Sequence, residues 1–451
     1  MTVSLGRSFR PSRSPAGRGS GSGSGRRGGP KAGRTGRLAL RVLAIAGIGL
    51  VGLVLLGGVT LYTVLNGLTN PVHFDSLAQV VPGTRINVLV MGLDAPLDAH
   101  LHAQPNFDIH TAKGSRTDTM MLFSIDPQAK EVGILSLPRD SRVIIAGREQ
   151  YGYDKLGHAH AYGGPDMAVA TVSRLLGVPI NYYVRVNSAG VAKIIDTLGG
   201  VEIYVEKDMH YNDPYQDLHI DLKKGLQTLN GDQAVQYLRY RSDGNDITRI
   251  ERQQKFIKAL KDQLFSLGTI TKLPALLSQV SDCIDTNMTA GEMLSYARLA
   301  AKLDNVTIKT GVLAGEVATI QDPGREPLSY WVLHPDENER IVDEVIWGVD
   351  PQVNAGISVE VQNGTTTPGL AARFADELKR QGYNVVAVTD APRQDYATTE
   401  VIDRSRDADK LRRLSQAVLR YAPGAKVGRA RAAEGKPDFT VILGQDYAGR
   451  D

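Results

Sequence analysis

Between Tyr237 and Gln254 the sequence YLRYRSDGNDITRIERQQ gathers Arg239, Arg241, Arg249 and Arg252 around one turn. A guanidinium is always charged and offers a planar fork of donors matched to phosphate oxygens, so four of them around a turn suit an anionic ligand. The spacing reads first as an extended segment that points Arg239 and Arg241 the same way. A Ser-Asp-Gly-Asn turn follows, and then a helix on which Arg249 and Arg252 are neighbours at i and i+3. Asp243, Asp246 and Glu251 lie among these arginines, so at this point a solvated ion-pair cluster explains the pattern equally well.

Two carboxylates extend the chemistry. Asp94 ends the apolar run INVLVMGLD, the position where α/β sheets commonly place ligand-binding residues, and Asp118 begins another strand in SRTDTMMLFSID. Mg²⁺ favours one or two carboxylates plus ligand phosphate oxygens, so the pair beside an arginine pocket fits a hard cation bridging to a pyrophosphate. Taken singly, each aspartate also reads as a turn or strand-end cap. Arg139 and Asp140 follow a strand and Pro138, which fixes the turn and aims Arg139 at the same sheet edge. Lys155 lies in DKLGHAHAYGG, where Gly163-Gly164 permits close backbone approach. His158 and His160, at i and i+2, lack the further ligands of a structural zinc site and read as satisfied or exposed histidines. Cys283 is the single cysteine, so no intramolecular disulfide forms, and it reads as a small buried hydrophobe.

The elements that must carry these residues alternate. Ile86–Val90, Met120–Ile125, Val132–Leu137, Val184–Val186 and Val201–Val205 read as strands; Met167–Leu176, Ala189–Thr197 and Arg249–Leu267 read as helices. This implies an α/β fold with a mixed central sheet flanked by helices, over residues 85–350 with a helical and β extension. Within the extension Thr289 and Glu292 are spaced as a capping box, Val306–Ile320 is β-rich and Asn338–Trp347 is a closing helix. A smaller α/β domain spans 355–447, with strand ISVEVQN, a turn at Asn363-Gly364, Pro368 at the N1 position of a helix, strand Tyr383–Thr389, helix Arg406–Tyr421 and strand Phe439–Leu443. Val169, Val172, Leu175, Leu176, Ile194, Ile195, Leu198, Ile257, Leu260 and Leu264 pack the sheet faces or line a cavity for a lipid tail. Periodicity does not separate a filled core from a tunnel.

Ahead of the sheet, residues 1–41 contain ten Lys or Arg and no acid, and the remainder carries 42 basic against 49 acidic residues. Low apolar content makes this tail disordered, and its Gly, Ser and Arg composition offers no readable DNA-binding motif, so no nucleic-acid partner is expected. Val42–Leu65 is a run of 24 uncharged residues. At about 1.5 Å per residue such a helix spans a hydrocarbon core of about 30 Å. The basic flank predicts a single-pass type II protein of the cell membrane, its N-terminus inside, with 66–84 as a juxtamembrane spacer and the domains outside. The run exceeds a signal-peptide h-region and no A-x-A-like cleavage site follows it.

Together the blocks INVLVMGLD, SRTDTMMLFSIDP, GILSLPRDSRV, DKLGHAHAYGG, DTLGGVEIYV, IDLKKGLQTLNGDQAVQYLRYRSD and DITRIERQQ resemble, in order, the LytR-CpsA-Psr family of cell-wall enzymes over residues 86 to about 266. The segments VEVQNGTTTPGLAARFADELKRQGY and DFTVILGQDY are similar to the accessory domain that often follows. The resemblance implies a phosphotransferase that moves a glycopolymer from an undecaprenyl-pyrophosphate carrier onto peptidoglycan. It implies Asp94 and Asp118 as Mg²⁺ ligands, Arg139, Arg239, Arg241 and Arg249 around the pyrophosphate, and Lys155, Arg252 and Gln253 near it, with Asp94, Asp118, Arg139 and Arg241 as the catalytic set. The chain departs from the family in a longer loop at 95–114, in Ala95 where an arginine often follows the aspartate, in Gly157 for a usual asparagine and in His160 for a common aromatic. A non-catalytic sensor of lipid-linked wall precursors and a lipid-pyrophosphate pyrophosphatase are the competing readings.

Overall fold

The computed structural model describes residues 77–78, 85–93, 117–213, 218–240, 246–264, 284–289, 291–293, 295–296, 306–322, 326–432 and 435–447. Strands β1 (Ile86–Leu93), β2 (Thr117–Asp126), β3 (Glu131–Ser136), β4 (Arg142–Ile144) and β5 (Tyr153–Lys155) precede helix α1 (His158–Leu176). Next come β6 (Tyr182–Asn187), α2 (Ser188–Leu198), β7 (Val201–Val205), β8 (Met209–Asp213), β9 (Leu218–Leu222), β10 (Gly225–Leu229), α3 (Gly231–Arg239) and α4 (Asp246–Leu264). Strands β11 (Ile284–Thr286), β12 (Thr307–Val312), β13 (Gly315–Ile320) and β14 (Leu328–Leu333) and helix α5 (Pro335–Val345) complete this part.

Six strands form one sheet in the order β11-β6-β1-β2-β3-β12. It is mixed, since β1 runs parallel to β6 and antiparallel to β2, while β12 runs parallel to β3. Successive residues of a strand point to opposite faces, so Leu89 and Met91 of β1 share one face and Val88 and Val90 the other. On the first face Leu89, Met91, Met120, Leu122 and Leu135 pack with Val169, Val172 and Leu176 of α1 in one buried core. Fully burying one such side chain contributes about 1.5–3 kcal/mol. The helices α2 and α4 belong to the second cluster, with Ile195, Leu198, Phe256 and Leu260 buried and Ile194 partly buried.

Local chemistry fixes the elements that reach the site. Asn187 caps α2, its Oδ1 accepting from the Gly190 N–H at 2.8 Å. A reciprocal capping box starts α3: Asn230 Oδ1 accepts from the Gln233 N–H at 2.9 Å, and Gln233 Oε1 from the Asn230 N–H at 3.1 Å. This box corrects the extended reading over Tyr237–Arg239, while Arg241 lies outside the described residues. Tyr237, Leu238 and Arg239 are helical, with Ala234, Val235 and Tyr237 buried, and Tyr240 is the C-cap. The expected capping box at Thr289 and Glu292 forms, with the Thr289 N–H donating to Glu292 Oε2 at 2.8 Å and the Glu292 N–H to Thr289 Oγ1 at 3.3 Å.

The C-terminal part holds α6 (Pro351–Asn354), β15 (Ser358–Asn363), α7 (Leu370–Arg380), β16 (Asn384–Asp390), β17 (Glu400–Asp403), α8 (Ala408–Leu419), β18 (Lys426–Arg429) and β19 (Phe439–Leu443). Its five-stranded sheet has the order β16-β15-β19-β17-β18 around a core that includes Val359, Val361, Phe374, Leu378, Phe439 and Val441. Pro368 does not occupy N1 of α7, because Gly369, at φ +72°, is the N-cap and the proline precedes it. From α8, Arg412 Nη1 and Gln416 Nε2 reach Asp126 Oδ2 at the end of β2, at 3.1 and 2.7 Å. The expected span at 42–65 lies outside the described residues, and among the described residues no helix is long and apolar enough to cross a membrane.

Candidate active site

Asp118 sits where the β1/β2 ladder slips. Gly92 pairs with Thr119 and Leu93 with Thr117, so Asp118 is the extra residue of a β-bulge. A bulge leaves one residue out of the ladder and re-aims it, and here the Asp118 carbonyl accepts from Arg249 Nη2 at 3.0 Å. The Asp118 carboxylate pairs with Arg139, both side chains being about one-third exposed. Arg139 also lies 3.7 Å from Asp140, whose other oxygen holds Lys155 Nζ at 2.8 Å. The Pro138 turn thus delivers Arg139 to the edge that the sequence indicated. Gly157 locks that loop: its N–H donates to the Arg139 carbonyl at 2.8 Å, and its carbonyl accepts from the Thr117 N–H at 3.3 Å. A Cβ at Gly157 would come within 2.9 Å of the Thr117 carbonyl oxygen, so the close approach there suits glycine.

From the opposite side α3 and α4 bring Arg239, Arg249 and Gln253. Gln253 Nε2 donates to Thr119 Oγ1 at 3.1 Å. All three residues, with Asp118, Thr119 and Arg139, line the polar end of a cavity of about 590 Å³. The rest of its wall is apolar: Val90, Met121, Val184 and Val186 from the sheet, and Val191, Ile194, Leu238, Ile257 and Leu260 from the helices. The second face of the sheet is therefore not filled by α2 and α4. Ile194, Ile195, Ile257 and Leu260, expected to pack the sheet faces or line a cavity, do both: they belong to the hydrophobic clusters and border this space. The side chain of Leu264 lies outside the described residues.

Arg252 departs from the pocket. It is buried, donates through Nη2 to the Tyr240 carbonyl and lies with its guanidinium carbon 5.3 Å from the Tyr240 ring centroid. It therefore ties α4 to the C-cap of α3. Asp94 and Arg241 lie outside the described residues, as do Asp243 and Cys283.

The two histidines separate, as expected of non-metal residues. His158 Nδ1 is 2.8 Å from Asp154 Oδ1, whereas buried His160 lies 3.3 Å from Arg185 Nη1. Arg185 in turn donates through Nε to Asp285 Oδ2 at 2.7 Å. Burial works against the Asp154 carboxylate, but hydrogen bonds from His158, Tyr162 and the Lys155 N–H outweigh it and hold its pKa well below the carboxylate range. Sequence reasoning missed Thr119, Tyr211 and Asn187 at the cavity wall. For Thr119 the neighbouring aspartate was the available signal.

The chain has relatives of known sequence and structure. Residues 69–346 match the LytR_cpsA_psr family model, and residues 356–447 match that of the LytR cell envelope-related transcriptional attenuator. An uncharacterized protein of Staphylococcus aureus is 34% identical over 231 residues, 51% of this chain and 55% of that protein. The polyisoprenyl-teichoic acid–peptidoglycan teichoic acid transferase TagV of Bacillus subtilis is 28% identical over 282 residues, 62% of this chain and 71% of that protein. The chain thus spans little more than half the length of the first of these relatives. The crystal structure of B. subtilis TagV is similar at 26% identity and a TM-score of 0.49, covering 59% of this chain and 98% of that one. With the family model matched over more than half of its length, the chain belongs to the LytR_cpsA_psr family.

Proposed function

We propose that this protein is a phosphotransferase that takes a glycopolymer from an undecaprenyl-pyrophosphate carrier and attaches it to peptidoglycan, releasing undecaprenyl phosphate. The observation that carries the reading is one cavity with two chemistries: an apolar wall long enough for part of a prenyl tail, ending at Asp118, Arg139, Arg239 and Arg249. Apolar lining with a few convergent polar groups is how a site orients an amphiphilic ligand. The named activity of relatives such as TagV agrees with it. The uncharged run at 42–65 behind a basic tail supports a membrane anchor that keeps the site outside the cell, next to both lipid and wall.

In the reaction an acceptor sugar hydroxyl attacks the phosphorus that bears the polymer, the bond to the lipid-phosphate oxygen breaks, and the hydroxyl proton passes to the departing lipid phosphate or to water. Arg139, Arg239 and Arg249, with Arg241 as the family resemblance implies, neutralise charge that shifts toward the leaving phosphate, and Gln253 and Thr119 position one wall of the pocket. The residues at the mouth fit Mg²⁺ in its phosphate-assisted form, because Asp118 presents a partly exposed carboxylate beside the anion pocket and Asp94 is the next residue in sequence after β1. Phosphate oxygens of the substrate would supply donors beyond the two carboxylates. When bound, Mg²⁺ supplies Lewis-acid polarisation of the phosphoryl oxygens. Lys155 steadies Asp140 and through it the Arg139 loop.

Purified protein given a prenyl-pyrophosphate-linked sugar, Mg²⁺ and peptidoglycan should release prenyl phosphate and label the glycan. Release without labelling, at the same rate with and without acceptor, would instead identify a pyrophosphatase. Binding with no release at all would identify a sensor.

A further inference from the structure

We infer that Tyr151, Arg148 and Tyr162 form a platform that binds the sugar rings of the acceptor glycan beside the polar mouth. The inference rests on the transferase reading for the word acceptor, but the platform stands on its own geometry. Tyr151 and Tyr162 are 53% and 45% exposed. The Arg148 guanidinium carbon lies 4.3 Å from the Tyr151 ring centroid and 4.0 Å from that of Tyr162, so one half-buried cation is stacked on both rings. Stacking fixes the tyrosine rotamers before any ligand arrives, which lowers the ordering cost of binding.

A chain of hydrogen bonds ties the platform to the site. Tyr162 donates to Asp154 Oδ2 at 2.7 Å, and Asp154 Oδ1 accepts from the Lys155 N–H at 2.7 Å. Lys155 Nζ reaches Asp140, and Gly157 bonds both Thr117 and Arg139. The platform is therefore continuous with the loop that carries Arg139, the ion-pair partner of Asp118.

The chemistry selects a neutral, polyhydroxylated ring. A pyranose offers an apolar C–H face that packs on a tyrosine ring, and hydroxyls that meet phenol, guanidinium and carboxylate groups around it. Glu149 and Asp154 border the patch, and burial-independent contacts hold Glu149 ionised: its own and the Gly147 backbone N–H, then Arg174 at 2.6 Å. An anionic surface would meet these two carboxylates, whereas a glycan strand of N-acetylated sugars would not be repelled.

The test uses full-length protein in detergent and a hexamer of β-1,4-linked N-acetylglucosamine, read by calorimetry. Wild type should bind, and Tyr151→Ala with Tyr162→Ala should weaken binding about tenfold or more, the scale of losing stacked aromatic contacts. The Phe versions of the two positions should retain most of it, and Tyr204→Ala, an exposed tyrosine on β7, should bind as wild type. Absence of wild-type binding, or equal binding by the double Ala variant, overturns the platform. So does tyrosine-dependent binding to anionic phospholipid vesicles that the hexamer does not compete away. Long-chain prenyl pyrophosphate binding is measured in parallel. Intact glycan binding in a protein that fails to bind that lipid sinks the transferase reading and leaves the platform standing.

Discussion

Replacing Ile257 with tryptophan should shorten the prenyl chain that the cavity accepts. Ile257 projects from α4 into the apolar wall and is only partly buried, so its replacement fills space rather than breaking the core. At roughly the 30 Å³ occupied by one water, a cavity of about 590 Å³ holds on the order of 20 methylene-sized groups. An indole adds about six non-hydrogen atoms over the isoleucine side chain and displaces a similar number of tail carbons. At about 0.8 kcal/mol per buried methylene the ceiling is about 5 kcal/mol, and rerouting of the tail reduces it to about 2–4 kcal/mol. Affinity for a long-chain prenyl pyrophosphate should therefore fall by at least about 30-fold, with a ten-carbon analogue bound nearly as before. Calorimetric titration of both lipids against both proteins reads this directly, and a thermal melt verifies the fold. Equal affinity of wild type for the two chain lengths, or the same loss for both in the variant, would refute the assignment of the cavity to the tail.

Three further outcomes follow from the site and its supports. Arg249→Ala should lower the transfer rate about 10²–10³-fold by removing one charge-stabilising donor, and a smaller loss than from Arg249→Lys would argue against bidentate phosphate recognition. Arg252→Ala should act on stability, since a charged hydrogen bond to the Tyr240 carbonyl and a cation–π contact together contribute about 2–4 kcal/mol. A melting temperature equal to wild type with activity lost would restore Arg252 to the ligand pocket. Asp126 should make the contact between β2 and α8 acid-sensitive. Burial raises its pKa, but the Ala129 N–H, Gln416, Arg85 and Arg412 outweigh burial and hold it below the ordinary value. A depressed folded pKa gives stability that is present above the unfolded value of about 3.9 and lost as pH falls through the folded one. Asp126→Asn should remove that part of the acid dependence, and identical denaturation profiles for the two proteins between about pH 5 and 2 would contradict it.

Most elements were legible because apolar periodicity is strong in them: β1, β2, β3, β6 and α1 fall where the alternating and 3.6-residue patterns put them. The segment Tyr237–Arg239 misled because the Tyr and Arg alternation there mimics a strand, while the deciding signal, the Asn230–Gln233 capping box, begins seven residues upstream of Tyr237. Short ribbons such as β4 with β5 and β8 with β9 have too few residues to show a period.

The sequence by itself determined the residue types of the site, the alternation of strands and helices that carries them, and the ordered blocks that resemble one family. It could not decide whether Ile194, Ile257 and Leu260 fill a core or line a cavity. Periodicity fixes which face a side chain occupies but not how far the opposing faces stand apart, and only the packing of α2 and α4 over the sheet sets that distance. The same reason governs the polar end. Four arginines near one turn had equal claims on an anion until tertiary structure aimed Arg249 at the bulged Asp118, placed Arg239 on the cavity wall and turned Arg252 inward onto Tyr240.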